Sequence, residues 1–555
     1  MTQVVSRYGM TAGTTLLHRS SSGVTTRPSS APSARPSTAV HAEKVRCGGL
    51  WDWRGWTVLV AVGCAVVVGA VHARGMYTAP IRFDDEGTYV AQADTLLTQG
   101  RLAPYTYWYD HPPLGWMIVA GWLAGPGALW SAPNLIGSGR QLMLVLDVAS
   151  VVLVVLLGRR AGMPRTVAAV AALLYGLCPL ALTYHRMVLL DNIATPLLLG
   201  AFLLAMSPGR RLSAALASGM LISSAVLVKE TTLLFLPFVA WMLWRSFPGP
   251  TRRMCLTVFG LGVALPGLLY PLFALTKDEL IPGTGHVSLW DGVFFQLLGR
   301  QSSGSIFNAT SDAHAVLTGW LSTDPYLVVG ACVLVVPALF LRGLRPLAAA
   351  LLFMGLAVLR PGYLPVPYVV GLIPFAALVV TAVPGALLRG AVNRLRRRAR
   401  SVRDIVASRI LPVLTVGALA TAIALTTQAV APHWYYRDVS LMQTNFDRPY
   451  LDSTAWLQAN VPTNATLLVD DVTWTSLHSA GYPQVNLIWF TKPNADSDVD
   501  RRVPDWRSID YVVSSDIMRT SRQNGGTVQN ALRNSVPVAA WGTGSNQIVV
   551  SKVTK

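Results

Sequence analysis

Charge is what this 555-residue chain has least of. Only 13% of its residues are Asp, Glu, Lys or Arg, whereas 52% are hydrophobic. A soluble globular protein carries roughly 25% charged residues. Half that fraction leaves too little polar surface to cover a fold of this size in water. A wholly soluble protein is excluded, and a lipid bilayer is the second solvent the composition calls for. Carboxylates are the scarcer sign, 27 against 45 Lys and Arg, for a formal net charge of +18. The positive charge is scattered in short clusters between apolar runs: Arg159-Arg160, Arg210-Arg211, Arg252-Arg253, Arg342 with Arg345, and the block from Arg389 to Arg409. A nucleic-acid surface would gather its charge on one module, so no nucleic-acid partner is expected. Scattered clusters are how cytoplasmic loops of membrane proteins look.

Cysteine is also sparse. Cys47, Cys64, Cys178, Cys255 and Cys332 fall in the basic N-terminal region or in apolar runs, so no disulfide framework is implied. No Cys/His spacing suggests structural zinc. No internal repeat is visible. A long apolar run is missing before Trp56, which argues against a cleavable signal peptide.

What is there is a succession of apolar runs, at about 57–74, 141–157, 166–183, 192–206, 213–228, 231–247, 254–275, 325–341, 346–359, 363–388 and 410–431. A span needs about 20 residues, so the shorter runs borrow their flanks. A further run at 114–130 is interrupted by Pro126 and glycines. If it spanned, most later Arg clusters would face outside. Held at the outer face as an interfacial or re-entrant helix, it leaves every cluster inside. The expected architecture is mainly α: a polytopic transmembrane bundle of about eleven spans with a small C-terminal extracytoplasmic α/β domain. Residues 1–55 read as a disordered basic cytoplasmic tail. Residues 56–431 form the membrane domain, with outer loops 75–140, 184–191 and 276–324. Residues 432–555 form the outer domain, with strands expected at 466–469, 485–489, 511–514 and 547–550. The expected location is the cell membrane, multi-pass, with the N-terminus cytoplasmic and the C-terminal domain outside.

Chemistry-bearing residues collect on the outer side. The first loop carries Asp84-Asp85-Glu86-Gly87-Thr88-Tyr89. Three consecutive carboxylates can supply a general base or metal ligands; they equally suit the start of a helix, where acids oppose the macrodipole. Further on come Asp110-His111-Pro112-Pro113, whose prolines stiffen the backbone ahead of the interfacial run. The second loop carries Arg186 and Asp191, five residues apart at a depth where ionisable side chains are costly and usually functional. A plain Arg–Asp brace is the alternative. Lys229-Glu230 occupies the next outer junction, Arg140 heads a span, and Asp147 is an intramembrane acid suited to a polar contact between helices.

The order of these motifs resembles the GT-C superfamily of membrane glycosyltransferases, in particular the protein O-mannosyltransferases and the bacterial aminoarabinose transferases. The likeness covers residues 56–390 and is strongest in 82–115 and 184–192. It implies a transferase that moves a sugar from a polyprenyl-phosphate carrier to a hydroxyl acceptor at the outer face. Asp85 would be the catalytic base, with Glu86 beside it and Tyr89 in the same motif touching substrate. Asp110-His111-Pro112 stands where the aminoarabinose transferases have Glu-Lys-Pro. Asp110 would then replace a carboxylate able to hold a divalent metal, and His111 a cation near the donor phosphate. Arg140 corresponds to the family's span-head arginine and Asp191 to its second-loop acid. A phosphate at the outer face needs cations, and Arg140, Arg186, Lys229 and His111 are the candidates, the arginines ranked first for their planar fork. The expected partners are the polyprenyl-phosphate sugar, a glycan, lipid or protein acceptor, and membrane lipid. A transporter or lipid flippase is the competing reading, and a non-catalytic envelope scaffold a third. Transporters favour repeats and midplane sites, whereas the ionisable residues here sit at the outer ends of spans.

Overall fold

The computed structural model describes residues 50–207, 209, 211–395, 410–521 and 524–555. Most of the expected tail, Arg210 and the 396–409 part of the basic block lie outside the described residues. The apolar runs fold as helices, because an unpaired backbone in hydrocarbon would leave its polar groups unsatisfied.

Helix α1 (Leu50–Ala73) is followed by α2 (Asp84–Gln99), whose first turn holds Asp84, Asp85 and Glu86 and which stops at the left-handed Gly100 (φ 65°). The ambiguous run becomes α3 (Leu114–Ala124) and α4 (Pro126–Leu129), broken at Gly125. Eleven residues of helix rise about 16 Å, half of a hydrocarbon core of about 30 Å. Helix α5 (Leu135–Arg160) starts where the Asn134 side chain accepts the Gly137 N–H at 2.8 Å, and ends on Arg159-Arg160. The run 166–183 is split into α6 (Arg165–Leu177) and α7 (Pro179–Tyr184), because Pro179 cannot continue the hydrogen-bond ladder. Next come α8 (Leu190–Ala205), α9 (Leu212–Val228) and, after a 3₁₀ turn at Glu230–Phe235, α10 (Leu236–Ser246). Helix α11 (Gly249–Gly267) runs into α12 (Leu269–Thr276). Its Gly262 faces Gly219 of α9 so closely that a Cβ on Gly219 would stand 2.2 Å from the Phe259 carbonyl oxygen. Small residues bring membrane helices together in this way.

The loop after α12 contains α13 (Leu289–Phe294) and α14 (Asp312–Thr323), the latter bent by 103° from α15 (Pro325–Ala338). Asp324 at the bend is buried and accepts the Tyr326 and Leu327 N–H groups at 3.1 and 3.0 Å. Helices α16 (Arg345–Val358), α17 (Ile373–Leu395) and α18 (Leu411–Gln443) complete the membrane part. Leu261, Leu265, Leu268 and Leu272 point outward from α11–α12, as apolar side chains do toward lipid.

Five helical stretches among the described residues are long and apolar enough to cross a bilayer by themselves, or six if the bent α14–α15 pair counts as one. The other expected runs are helices of 10–17 residues, so a count of eleven full-length spans does not follow from length. The expected boundary at 432 also moves. Helix α18 carries Pro432 inside it and continues to Gln443.

The C-terminal segment begins with α19 (Arg448–Asn460). Then follow β1 (Leu467–Val469), α20 (Asp471–Ser479), β2 (Leu487–Trp489), α21 (Ser497–Asp500), β3 (Tyr511–Ser514), α22 (Asp516–Thr520), α23 (Gly526–Arg533), β4 (Ser535–Trp541) and β5 (Ile548–Val553). The sheet order is β2-β1-β3-β5-β4, parallel between β1 and both β2 and β3, antiparallel at β3–β5 and β5–β4. Strand β4 was not expected. It is an edge strand with Pro537 and a register shift between Pro537 and Ala539, which blurs its alternation.

This domain packs on α2 and the loop after it. Arg82 Nε donates to Asp447 at 2.7 Å, with both side chains buried. Thr106 bonds Asp496 and Asp498, Tyr105 donates to the Leu487 carbonyl, and His478 meets Asp94 at 3.2 Å. Gly87 permits the approach, because a Cβ there would lie 2.3 Å from the Asp471 carbonyl carbon and 2.4 Å from the Val472 nitrogen.

Candidate active site

The first turn of α2 sends its three carboxylates in different directions. Glu86 is fully buried and turns inward. Its Oε1 accepts Arg140 Nε and the Val188 N–H, both at 2.9 Å. Its Oε2 accepts Arg140 Nη2 at 2.8 Å and the Phe83 N–H at 3.1 Å. Arg140, 1% exposed, spends its remaining bonds on the Met76 and Pro80 carbonyls. Both side chains are buried, and their hydrogen bonds are spent on each other and on main-chain groups. Their geometry speaks against the expected roles, Glu86 in catalysis and Arg140 on the donor phosphate. The pair ties α2, α5 and the second loop together.

Arg186 is likewise committed through both Nη atoms, while its Nε is buried without a hydrogen-bond partner among the described residues. It is 2% exposed, and its Nη atoms donate to the Leu441, Val71 and Arg74 carbonyls at 2.8–3.0 Å. Burial pulls its pKa down to about 10. The guanidinium braces α1 against α18 and does not pair with Asp191. Arginine was ranked first for its fork geometry, and here the fork of Arg140 is taken by Glu86 and the Nη donors of Arg186 by main-chain carbonyls. Asp147 makes a polar contact inside the bundle, accepting His185 Nδ1 at 2.9 Å with His72 at 3.6 Å.

Asp85 behaves differently. It is half-buried and makes no hydrogen bond or ion pair among the described residues. Its charge acts on Tyr89, on Lys229 and on Asp471. Tyr89, one helical turn along, is 3% exposed. Burial, and then the charges of Asp85, Asp191, Asp110 and Glu230, push its phenol well above the ordinary range. Six expected site residues therefore meet at one place: Asp85, Tyr89, Asp110, His111, Asp191 and Lys229.

Lys229 follows the last residue of α9 and stands at the centre of this group. Its Nζ lies 3.3 Å from His111 Nε2, and His111 Nδ1 lies 2.9 Å from Glu230. Lysine can only donate, so Lys229 donates to Nε2 and His111 donates from Nδ1 to the carboxylate. Burial works against the Lys229 charge, but Glu230, Asp191 and Asp85 outweigh it and raise its pKa. Burial raises Glu230, yet His111 and Lys229 overcome this and hold it at about 2. With both ring nitrogens engaged, His111 orients Lys229 and has no free donor for a phosphate. Two N–H donors of Lys229 stay open among the described residues.

Sequence reasoning passed over Arg300. It lies beyond α13 in the loop after α12, and its charge acts on Lys229. Its guanidinium stacks 4.4 Å from the Tyr363 ring centroid, while Nε is buried with no hydrogen-bond partner among the described residues. Two neighbouring cations with unspent donors make an anion site. The basic clusters that guided the topology are all pairs or runs, and a single arginine in a polar loop carries no such signal. Lys492 of the C-terminal domain was also missed. Its Nζ sits 4.0 Å from the Trp108 ring centroid, and Asp110, Asp496 and Asp471 act on its charge.

No group of three or more His, Cys, Asp or Glu side chains is placed to hold a metal ion among the described residues. Asp110 Oδ1 accepts the His111 N–H at 3.0 Å. Asp110 thus has no partner set of metal ligands among the described residues.

No family model and no curated protein sequence matches this chain. Solved structures do. The chain is similar to ArnT from Cupriavidus metallidurans bound to undecaprenyl phosphate, with a TM-score of 0.51 at 15% identity over 90% of this chain and 98% of the other. It is similar to the oligosaccharyltransferase AglB from Archaeoglobus fulgidus, in complex with an inhibitory peptide and a dolichol-phosphate. There the TM-score is 0.51 at 12% identity over 88% and 73% of the two chains. The GT-C-like fold read from the motif order is thereby borne out.

Proposed function

We propose that this protein is a membrane glycosyltransferase that moves a sugar from a polyprenyl-phosphate donor to a hydroxyl acceptor at the outer face of the cytoplasmic membrane. The observation that carries this reading is the juxtaposition of an unbonded carboxylate, Asp85, with Lys229 and Arg300, two cations with open donors. The fold is similar to that of proteins solved with undecaprenyl phosphate and dolichol-phosphate.

The acceptor hydroxyl gives its proton to the Asp85 carboxylate as its oxygen attacks the anomeric carbon. The bond from that carbon to the phosphate oxygen breaks, and the electron pair stays on the phosphate. Lys229 and Arg300 take up the developing charge. Attack opposite the leaving group inverts the anomeric centre. His111 and Glu230 hold Lys229 in place, while Tyr89, Asp110 and Asp191 line the same pocket and supply hydrogen bonds to the sugar. The products are the glycosylated acceptor, polyprenyl phosphate and a proton on Asp85 that passes to water.

Detergent-purified protein incubated with a panel of polyprenyl-phosphate sugars, with products identified by mass, tests this. Asp85→Asn should lower turnover by roughly two to four orders of magnitude while polyprenyl phosphate still binds. Near wild-type transfer in that variant would remove Asp85 from its role. Directional movement of intact lipid without transfer would instead favour the flippase reading.

A further inference from the structure

Two helices meet start to start where the C-terminal domain sits on the first outer loop. The α2 start presents Asp84, and the α20 start presents Asp471. Asp471 is 5% exposed, and its Oδ2 accepts the Thr88 hydroxyl. Its Oδ1 is buried without a partner among the described residues, and so is Asp84 Oδ1. The Asp471 main-chain N–H points at the Asp84 carboxylate. An ionised carboxylate can only accept hydrogen bonds. Asp84 and Asp471 thus each keep one buried oxygen without a partner among the described residues, and a proton held on the pair would satisfy both.

The surroundings do not relieve the pair. On α2, Glu86 is bound to Arg140, and Asp85 adds a further negative charge. On the α20 side, Asp470 is used up by the Thr473 N–H at 2.7 Å and the Tyr450 hydroxyl at 3.2 Å. Arg82 is taken by Asp447. Among the described residues Lys492 is the cation acting on Asp471, and it is shared with Asp110 and Asp496.

We propose that Asp471 is a positioning residue for the base: it shares one proton with Asp84 across the domain contact and so fixes the α2 turn on which Asp85 stands. The C-terminal domain is then a working part of the site, and its grip on the site depends on pH. Burial first, and the neighbouring carboxylates with it, push Asp471 up to about 7 and Asp84 well above its ordinary value. An undocked carboxylate titrates near pH 4. Between about 4 and 7 the docked form holds a proton that the undocked form has lost. Docking is therefore tightest in acid and weakens by up to about tenfold per pH unit as pH rises through that window.

The test is hydrogen exchange of the α2 and α20 amides from pH 5 to 9, each normalised to its intrinsic rate, on the full-length protein in detergent. Wild-type protection should fall with pH until about 7. Asp471→Asn and Asp84→Asn keep the shape and remove the shared proton, so each should flatten the slope. Asp471→Glu should keep it, as should Asp452→Asn on α19. Either asparagine variant suffices if the other fails to fold. A wild-type slope in a folded asparagine variant, or no slope in the wild type, overturns the proposal. A second arm rests on the glycosyl-transfer reading. Asp471→Asn should retain transfer on the alkaline side where the wild type declines, and identical profiles would count against the coupling to Asp85. A wild type inactive with every donor sinks the functional reading alone, because the exchange result still decides the shared proton.

Discussion

Arg82 and Asp447 are separated by 365 residues of chain, yet their side chains meet at 2.7 Å and are 1% and 2% exposed. Arg82 lies two residues before the acidic turn of α2, and Asp447 immediately precedes α19. The ion pair therefore clamps the C-terminal domain onto the segment that carries Asp85. Removing one member of a buried pair strands the other charge, at a cost of about 3–5 kcal/mol. Arg82→Ala should lower the thermal unfolding temperature markedly and release 444–555 to limited proteolysis before the membrane part melts. An unchanged melt would show that the pair does not carry the contact.

Gly87→Ala tests the same contact by volume. The added methyl would overlap the Asp471 and Val472 main chain, which cannot move as the tip of a side chain can. Overpacking costs about 1–3 kcal/mol. Gly121→Ala on α3 is the control, since nothing lies within 4 Å of its Cβ position. Equal melts for the two variants would contradict the close approach.

Arginine and lysine at the outer face should part company in ligand binding. Arg140→Lys should lower stability, because Lys cannot replace four directed bonds to Glu86, Met76 and Pro80. Its additional stabilisation by undecaprenyl phosphate should persist. Lys229→Met and Arg300→Gln should do the reverse, staying folded while binding weakens about tenfold, or about 1.4 kcal/mol. Thermal melts with and without undecaprenyl phosphate separate the two classes. Ligand stabilisation lost in Arg140→Lys and kept in both other variants would return the phosphate to Arg140.

The depressed pKa of Glu230 sets an acid limit on the site. Its carboxylate, held at about 2 by His111 and Lys229 against burial, is ionised in the folded protein at pH values where an unfolded Glu, near 4.3, is not. The stability it adds is complete above about 4.3 and is lost as pH falls toward 2. Melts of Glu230→Gln and wild type should differ most at neutral pH and converge in acid. Parallel curves through pH 3 would show that Glu230 is not the group responsible.

Sidedness is checked by an added cysteine at Ser497, an exposed position in α21. A membrane-impermeant maleimide applied to intact cells should label it above the background of the native cysteines, because the basic clusters resist translocation and leave the C-terminal domain outside. Labelling that requires cell lysis would invert the topology.

Much of this protein was legible in its sequence, for identifiable reasons. Low charge and long apolar runs bind the chain to a bilayer whatever its partners, since solvation of each segment is a local property. The strands at 467–469, 487–489, 511–514 and 548–553 were visible from β-branched and aromatic residues between turn signals. Asp85, Tyr89, Asp110, Asp191 and Lys229 stood out as ionisable or polar groups at outer helix ends, where such groups are costly. What the sequence could not say is which charges are already spent. Arg140, Arg186 and Lys229 look alike as cations at the ends of apolar runs. Whether each is free depends on carbonyls and carboxylates from segments up to 255 residues away. Packing brought Glu86 to Arg140, Leu441 to Arg186, Arg300 to Lys229 and Asp471 to Asp84. Residue type and depth determine what a side chain can do; only the tertiary structure decides whether its hydrogen bonds are satisfied within the protein or left for a substrate.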